Sequence, residues 1–302
     1  LMFSDGRAVN RRMLRVLLLL LAGFALAVGL ASLPQPAQAG IKSSVASWEG
    51  DRSSAFPVSG HDGPGTIDPS DVLTYYVYLP LIFSPGTCQP IPGESYGTLD
   101  VPPWPDRPAE EHADLNLALR GYEPTVAYKG LVDYNGAGDG NAPQLPGRFA
   151  DSRTGIFDEV YRVYDWNWGC NCRGDLISDW AVTLAGLAAT PGETIHLPNS
   201  GYSIGSGYEA LVLYASTDRI TLKYTREDNV ISGYTLHVEN VCVEPSLLAL
   251  YQEMNSEGRG NLPALRPGQA FGRARDSEIG VAIRDRGNFM DPRSRKDWWR
   301  GR

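Results

Sequence analysis

The sequence predicts a mainly β domain, an antiparallel sheet or sandwich with one or two short covering helices. Two alternating apolar runs between Gly207 and Val243 flank a charged turn. Gly 33 and Pro 22 in a 302-residue chain fit a loop-rich β fold better than a helical one. Helical patterning is confined to two short stretches, 108–120 and 245–256.

In chain order, Arg11, Arg12 and Arg15 precede an apolar run from Val16 to Leu30. Ala37-Gln38-Ala39 then offers small residues for cleavage before Gly40. This is the layout of an export leader over residues 1–39. The alternative, an uncleaved anchor, is weakened by an apolar run that is short for a bilayer span, so no membrane span is expected after cleavage. Without the charges of residues 1–39, the rest carries 23 basic and 34 acidic residues, a formal charge of −11. Such a balance argues against nucleic acid or an anionic membrane as partner. It suits a secreted, extracellular protein.

Residues 40–87 read as a disordered linker, rich at first in Ser, Gly, Asp and Pro, then apolar from Asp71 to Phe83 but broken by Pro80. The stretch Tyr78-Leu79-Pro80-Leu81 resembles segments between linker and functional domain in secreted bacterial proteins. The β-rich domain is expected over 88–302.

Within it, Pro108 to Arg120 is predicted as a short helix, with Leu115 and Leu119 on one face and Gly121 past its end. Ala127 to Tyr134 reads as a strand. Asp133, Asn135 and Asp139 follow in a Gly-rich loop that lacks EF-hand spacing and reads as a turn. Aromatics gather from Phe157 to Trp168. Tyr164, Trp166 and Trp168 suit either a sugar-stacking face or a core beside disulfides, with core packing the simpler reading.

Export makes Cys88, Cys170, Cys172 and Cys242 disulfide candidates, with three possible pairings. Because Cys170 and Cys172 are so close, each is expected to seek a distant partner, Cys88 or Cys242. Metal binding by the Cys-x-Cys pair is the weaker alternative, as no second Cys/His pair stands at ligand spacing.

Short strands punctuated by turns are expected between Leu184 and Val212, with His196 outward. Gly205-Ser206-Gly207 lacks the pattern of a nucleophile elbow. Ile220, Leu222 and Tyr224 alternate with Thr221, Lys223 and Thr225, then Tyr234, Leu236 and Val238 with Thr235, His237 and Glu239. The turn between them, Arg226-Glu227-Asp228-Asn229, reads as solvated, and His237 as outward. Parity switches at Asn240, which marks a bulge or strand end. Pro245 to Ser256 is the best helix, with Leu247, Leu248, Tyr251 and Met254 on one face. A strand from Glu278 to Arg284 follows, and Trp298 and Trp299 are expected to pack back on the domain.

From about residue 170 to 292, the order of features resembles lysostaphin-type (LytM-like) zinc metallopeptidases, which cut peptidoglycan cross-bridges. The matching pieces are Cys172-Arg173-Gly174-Asp175, Ala189-Thr190-Pro191-Gly192, Tyr234-Thr235-Leu236-His237, the Pro267-Gly268-Gln269-Ala270-Phe271-Gly272 turn, Glu278–Arg284 and Asp291-Pro292. The resemblance implies that fold and a zinc held by two His and one Asp. Here Cys172 stands for the first His and Glu278 and Gly280 for the His-x-His pair. Asp175 is of the right type but one residue short in spacing, and His237 is one residue late. A catalytic zinc needs three protein ligands and an open position, so no cofactor is expected, zinc being the one candidate. His237, His196 and Asp175 are the residues to test for chemistry. Ser206, His237 and Asp228 lack triad spacing. Asp165, Asp175 and Glu209 are the carboxylates available for glycoside hydrolysis. The function expected is a secreted, non-catalytic cell-wall or surface interaction module that binds a cell-wall polymer or extracellular protein. The alternatives are a hydrolase with a non-standard site and a carbohydrate-binding module.

Overall fold

The computed structural model describes residues 88–102 and 108–300; the expected leader, the linker and the Asp71–Phe83 segment lie outside them. The fold is mainly β. Its strands, in chain order, are β1 (Gly97–Asp100), β2 (Tyr122–Pro124), β3 (Phe157–Asn167), β4 (Cys172–Leu176), β5 (Leu184–Ala188), β6 (Thr194–His196) and β7 (Ala210–Ala215). They continue with β8 (Arg219–Lys223), β9 (Tyr234–Glu239), β10 (Val241–Val243), β11 (Asn261–Leu265), β12 (Ala270–Ala274), β13 (Glu278–Asp285) and β14 (Asn288–Met290). Three short α-helices, α1 (Leu117–Arg120), α2 (Pro245–Ser256) and α3 (Arg295–Trp298), and two 3-10 turns, Ala109–Glu111 and Leu145–Arg148, complete the described elements. Among the described residues no helix is long and apolar enough to cross a membrane.

One antiparallel sheet runs β1-β11-β7-β8-β9-β13-β5-β3-β2, with β4 added to β3 and β14 to β13; a smaller sheet runs β10-β12-β6. Alternation assigns the faces. Ile220 and Leu222 of β8, Leu236 and Val238 of β9, and Ile279, Val281 and Ile283 of β13 enter a core shared with Ile195, Val241, Val243 and Phe271 of the smaller sheet. Asn240 adopts φ 59°, a left-handed turn at the parity switch, and there the chain passes from β9 to β10.

The opposite face departs from expectation. Thr221, Lys223, Thr235, His237 and Glu239 are all buried, so His237 is not outward. Residues 109–121 and the β13–β14 hairpin cover this face: Leu117 and Phe289 pack on Val163, Leu184 and Ala282. The predicted 108–120 helix is instead a 3-10 turn at Ala109–Glu111 and a separate turn of helix, α1. Asn116 divides them, accepting the Ala118 N–H at its side chain (3.2 Å) to restart the helix. Ala127–Tyr134 is not a strand; only Val132 bridges, to Ser294.

Helix α2 matches its expected bounds. Glu244 caps it by accepting the Ser246 and Leu247 N–H groups (2.8 and 2.9 Å), and Leu247 and Tyr251 are buried. The charged turn is not solvated throughout. Asp228 is buried and paired with Arg259 at 2.6 Å, and Arg259 also donates to Leu213 O at 2.7 Å. Trp298 and Trp299 do pack back, each indole N–H donating at 2.8 Å, to Asp291 O and Pro292 O.

The cysteine pairing corrects the expectation. Cys88 joins Cys242, and Cys170 joins Cys172 with Cα atoms 5.3 Å apart. Between the latter two, Asn171 takes φ 52°, folding the chain so that neighbours two apart meet.

Candidate functional site

A cleft of about 590 Å³ lies between the β3–β4 ribbon and the β13–β14 hairpin. Its shape starts from a register shift between Tyr164 and Trp166, where β3 leaves its ladder with β4. The shift turns Asp165 into the cleft with its side chain 70% exposed. Asp175 of β4, Asp179 and Asn167 line the same wall, and Asn288 and Phe289 the opposite one.

Two buried guanidinium groups form the floor. Asp114 Oδ1 accepts from Arg120 Nη2 and from Arg284 Nη1, both at 2.7 Å. Arg120 also donates to Ala113 O at 3.0 Å, and Arg284 Nε to Gly287 O at 2.8 Å. Both lie over the Phe289 ring, 5.5 and 4.7 Å from its centre. Burial raises the Asp114 pKa, but the two guanidinium groups outweigh it and hold the carboxyl at about 2. Arg120 Nη1 also reaches the exposed Asp165 carboxylate at 3.4 Å, so the second floor cation is met by a carboxylate of the cleft wall.

His237 lies behind this floor, its ring stacked on Phe289 at 6.0 Å. The Thr221 hydroxyl donates its one proton to Leu115 O at 2.6 Å and lies 3.0 Å from His237 Nδ1. With that proton spent, the hydroxyl can only accept, so Nδ1 carries the imidazole hydrogen and Nε2 is a bare lone pair. Nε2 is buried with no hydrogen-bond partner. Burial, then the Arg284 charge, drives the His237 pKa well below the usual imidazole value.

The other predicted residues do not gather here. His196 is half-buried on β6 in the smaller sheet. Glu209 is buried and accepts the Ser200 N–H. Trp166 is buried, its indole nitrogen 3.4 Å from Asn171 Oδ1. Tyr164 donates to Glu123, and Trp168, 44% exposed, sits edge-on to Trp166 and to His112. The three aromatics therefore share the β3–β4 ribbon without forming one flat platform.

The positions matched to zinc ligands are dispersed. Cys172 is held in a disulfide, Asp175 faces the large cleft, and Glu278 and Gly280 line a different, smaller one. Among the described residues no three His, Cys, Asp or Glu side chains converge as metal ligands.

Sequence reasoning singled out Asp175 and Asp165 but missed Asp114, Arg120, Arg284 and Asn288. Only Arg284 left a signal, as a charged residue closing an apolar strand. Compared with known proteins, the chain matches no family model and no curated sequence.

Proposed function

We propose that this is a secreted, non-catalytic binding module that holds a cell-wall or surface glycan in the large cleft. The carrying observation is the lining: carboxylates of Asp165, Asp175 and Asp179, the amides of Asn167 and Asn288, and guanidinium groups of Arg120 and Arg284 around one open space. Planar groups of this kind meet the paired hydroxyls of a sugar with directed hydrogen bonds. Histidine-based or zinc-dependent cutting is disfavoured because none of the three described histidines lines the cleft: His237 is sealed behind Phe289, His196 is on the other sheet, and His112 packs on Trp168. Asp165 and Asp175 both line it, so hydrolysis by paired carboxylates is the competing reading that the fragment assay separates from binding.

The test is sedimentation of the purified protein with insoluble peptidoglycan and with a panel of other polysaccharides, alongside assay for released fragments. Saturable binding to one glycan, weakened about tenfold or more by Asp175→Ala, with no fragment released, is expected. Turnover, or binding indifferent to Asp175→Ala and Asn288→Ala, would overturn the reading.

A further inference from the structure

The smaller cleft, about 210 Å³, opens on the polar face of the main sheet at some remove in sequence from the glycan cleft. A row of register partners crosses four strands there: Gly186 of β5, Gly280 of β13, Glu239 of β9 and Arg219 of β8. The two glycines supply space rather than unusual backbone. A Cβ on Gly186 would overlap the Glu278 carboxylate, and one on Gly280 would lie 3.1 Å from Glu239 Cβ and 3.3 Å from Leu184. The room they leave is walled by Tyr122 and Tyr161, whose rings meet edge to face at 5.2 Å, and by Leu184 and Asn240.

Its charges do not balance. Arg219 Nε reaches Glu239 Oε2 at 3.1 Å, and Arg219 Nη2 reaches Asp218 at 3.0 Å. Glu278 Oε1 accepts the Tyr161 hydroxyl at 2.9 Å. Arg275 Nη1 also reaches Asp218, at 3.8 Å, but among the described residues no cation pairs with Glu278. The Glu239 side chain is only 4% exposed, yet among the described residues nothing donates to its Oε1, nor to Glu278 Oε2. Asn240 Nδ2 donates to Glu278 O at 2.6 Å, which leaves its Oδ1 as a further acceptor. The space is rich in acceptors and short of donors and positive charge.

We infer that this cleft binds an organic cation, a primary alkylammonium group. Its three N–H donors match Glu239 Oε1, Glu278 Oε2 and Asn240 Oδ1, and its alkyl chain lies along Leu184 and the tyrosine rings, which attract cations. The volume is that of several waters at about 30 Å³ each, enough for a butylammonium-sized group. A metal ion fits less well, since the carboxylates do not converge as ligands. Burial raises Glu239, to about 7 against the opposing Arg219 charge, and also raises Glu278. The inference does not rest on the glycan reading, because it concerns other residues.

The test titrates n-butylammonium chloride into the full chain, followed by amide spectra, with sodium chloride and 1-butanol as controls. Saturable shifts at Gly186, Glu239, Asn240 and Gly280 are expected with the ammonium only. Glu278→Gln, at a partly exposed position, should weaken binding about tenfold or more, and Asp175→Ala in the other cleft should leave it unchanged. No saturable shift at these amides, an equal response to 1-butanol, or full affinity in Glu278→Gln would overturn the inference. The wild-type panel decides the matter even if a variant fails to fold.

Discussion

Asp114 is the residue on which the floor of the large cleft depends, since it alone faces both Arg120 and Arg284 at 2.7 Å. Asp114→Asn would leave the buried Arg284 without a paired carboxylate, and Arg120 with only the exposed Asp165 at 3.4 Å. Removing one partner of a buried ion pair costs about 3–5 kcal/mol, and urea denaturation should show a loss of that size; an unmoved midpoint would mean the triad contributes nothing. The pH dependence carries the same interaction. The folded carboxyl sits at about 2, below its ordinary value of 3.8, so its contribution is full above 3.8 and lost as pH falls through about 2. His237 gives a second expectation. Its pKa is depressed by burial, so its contribution is present above the ordinary 6.5 and lost as pH falls. Nitrogen-15 spectra of the ring should show the Nδ1–H form, still neutral at the pH where an exposed imidazole is half protonated. A ring that titrates near 6.5 would sink the Leu115–Thr221–His237 chain.

At the scale of elements, the two disulfides separate in what they do. Cys88–Cys242 closes a separation of 154 residues and Cys170–Cys172 one of 2. Loop-closure entropy then gives about 5 kcal/mol for the first and about 1.5 kcal/mol for the second. Denaturation of Cys88→Ser/Cys242→Ser and Cys170→Ser/Cys172→Ser proteins should rank them so, and equal losses would refute it. The short pair instead fixes the tip of the ribbon that carries Asp165, Asp175 and Trp168. Period two in β8, β9 and β13, and period 3.6 in α2, made these elements legible, because each packs one apolar face. The 108–120 segment was not. It packs on the polar side of the sheet, so its buried residues include His112, Asn116 and Arg120, and its leucines follow no helical stripe. Lys223 and His237 misled for the same reason. Polar residues at alternate positions normally face water, and nothing within a strand tells that another segment covers them.

At the scale of the molecule, the main sheet is buried on both sides by different chemistry: an apolar core on one, and on the other a polar layer flanking Leu117, Leu184, Ala282 and Phe289. The apolar side was legible because it is built from local periodicity. The clefts lie on the polar side, and their residues come together only through tertiary pairing: Asp114 meets Arg284 across 170 positions. Asp175 was found for its place in a motif, whereas Asp114 stands in none. Residues 291–300 then lock the architecture. Trp298 stacks edge-on with Tyr234 at 5.6 Å, Trp299 packs on Phe157, and Gln144 bonds both to Asp297 O at 3.0 Å and to the Arg300 N–H at 2.8 Å. Trp298 thereby ties this segment to the start of β9 on the apolar core side of the sheet, the side away from both clefts. Trp298→Ala should cost about 3–5 kcal/mol in thermal or urea unfolding, while ligand affinity measured below the transition stays unchanged. A wild-type melting curve would show that the segment merely rests on the sheet; lost affinity in a still-folded variant would show that the clefts depend on it.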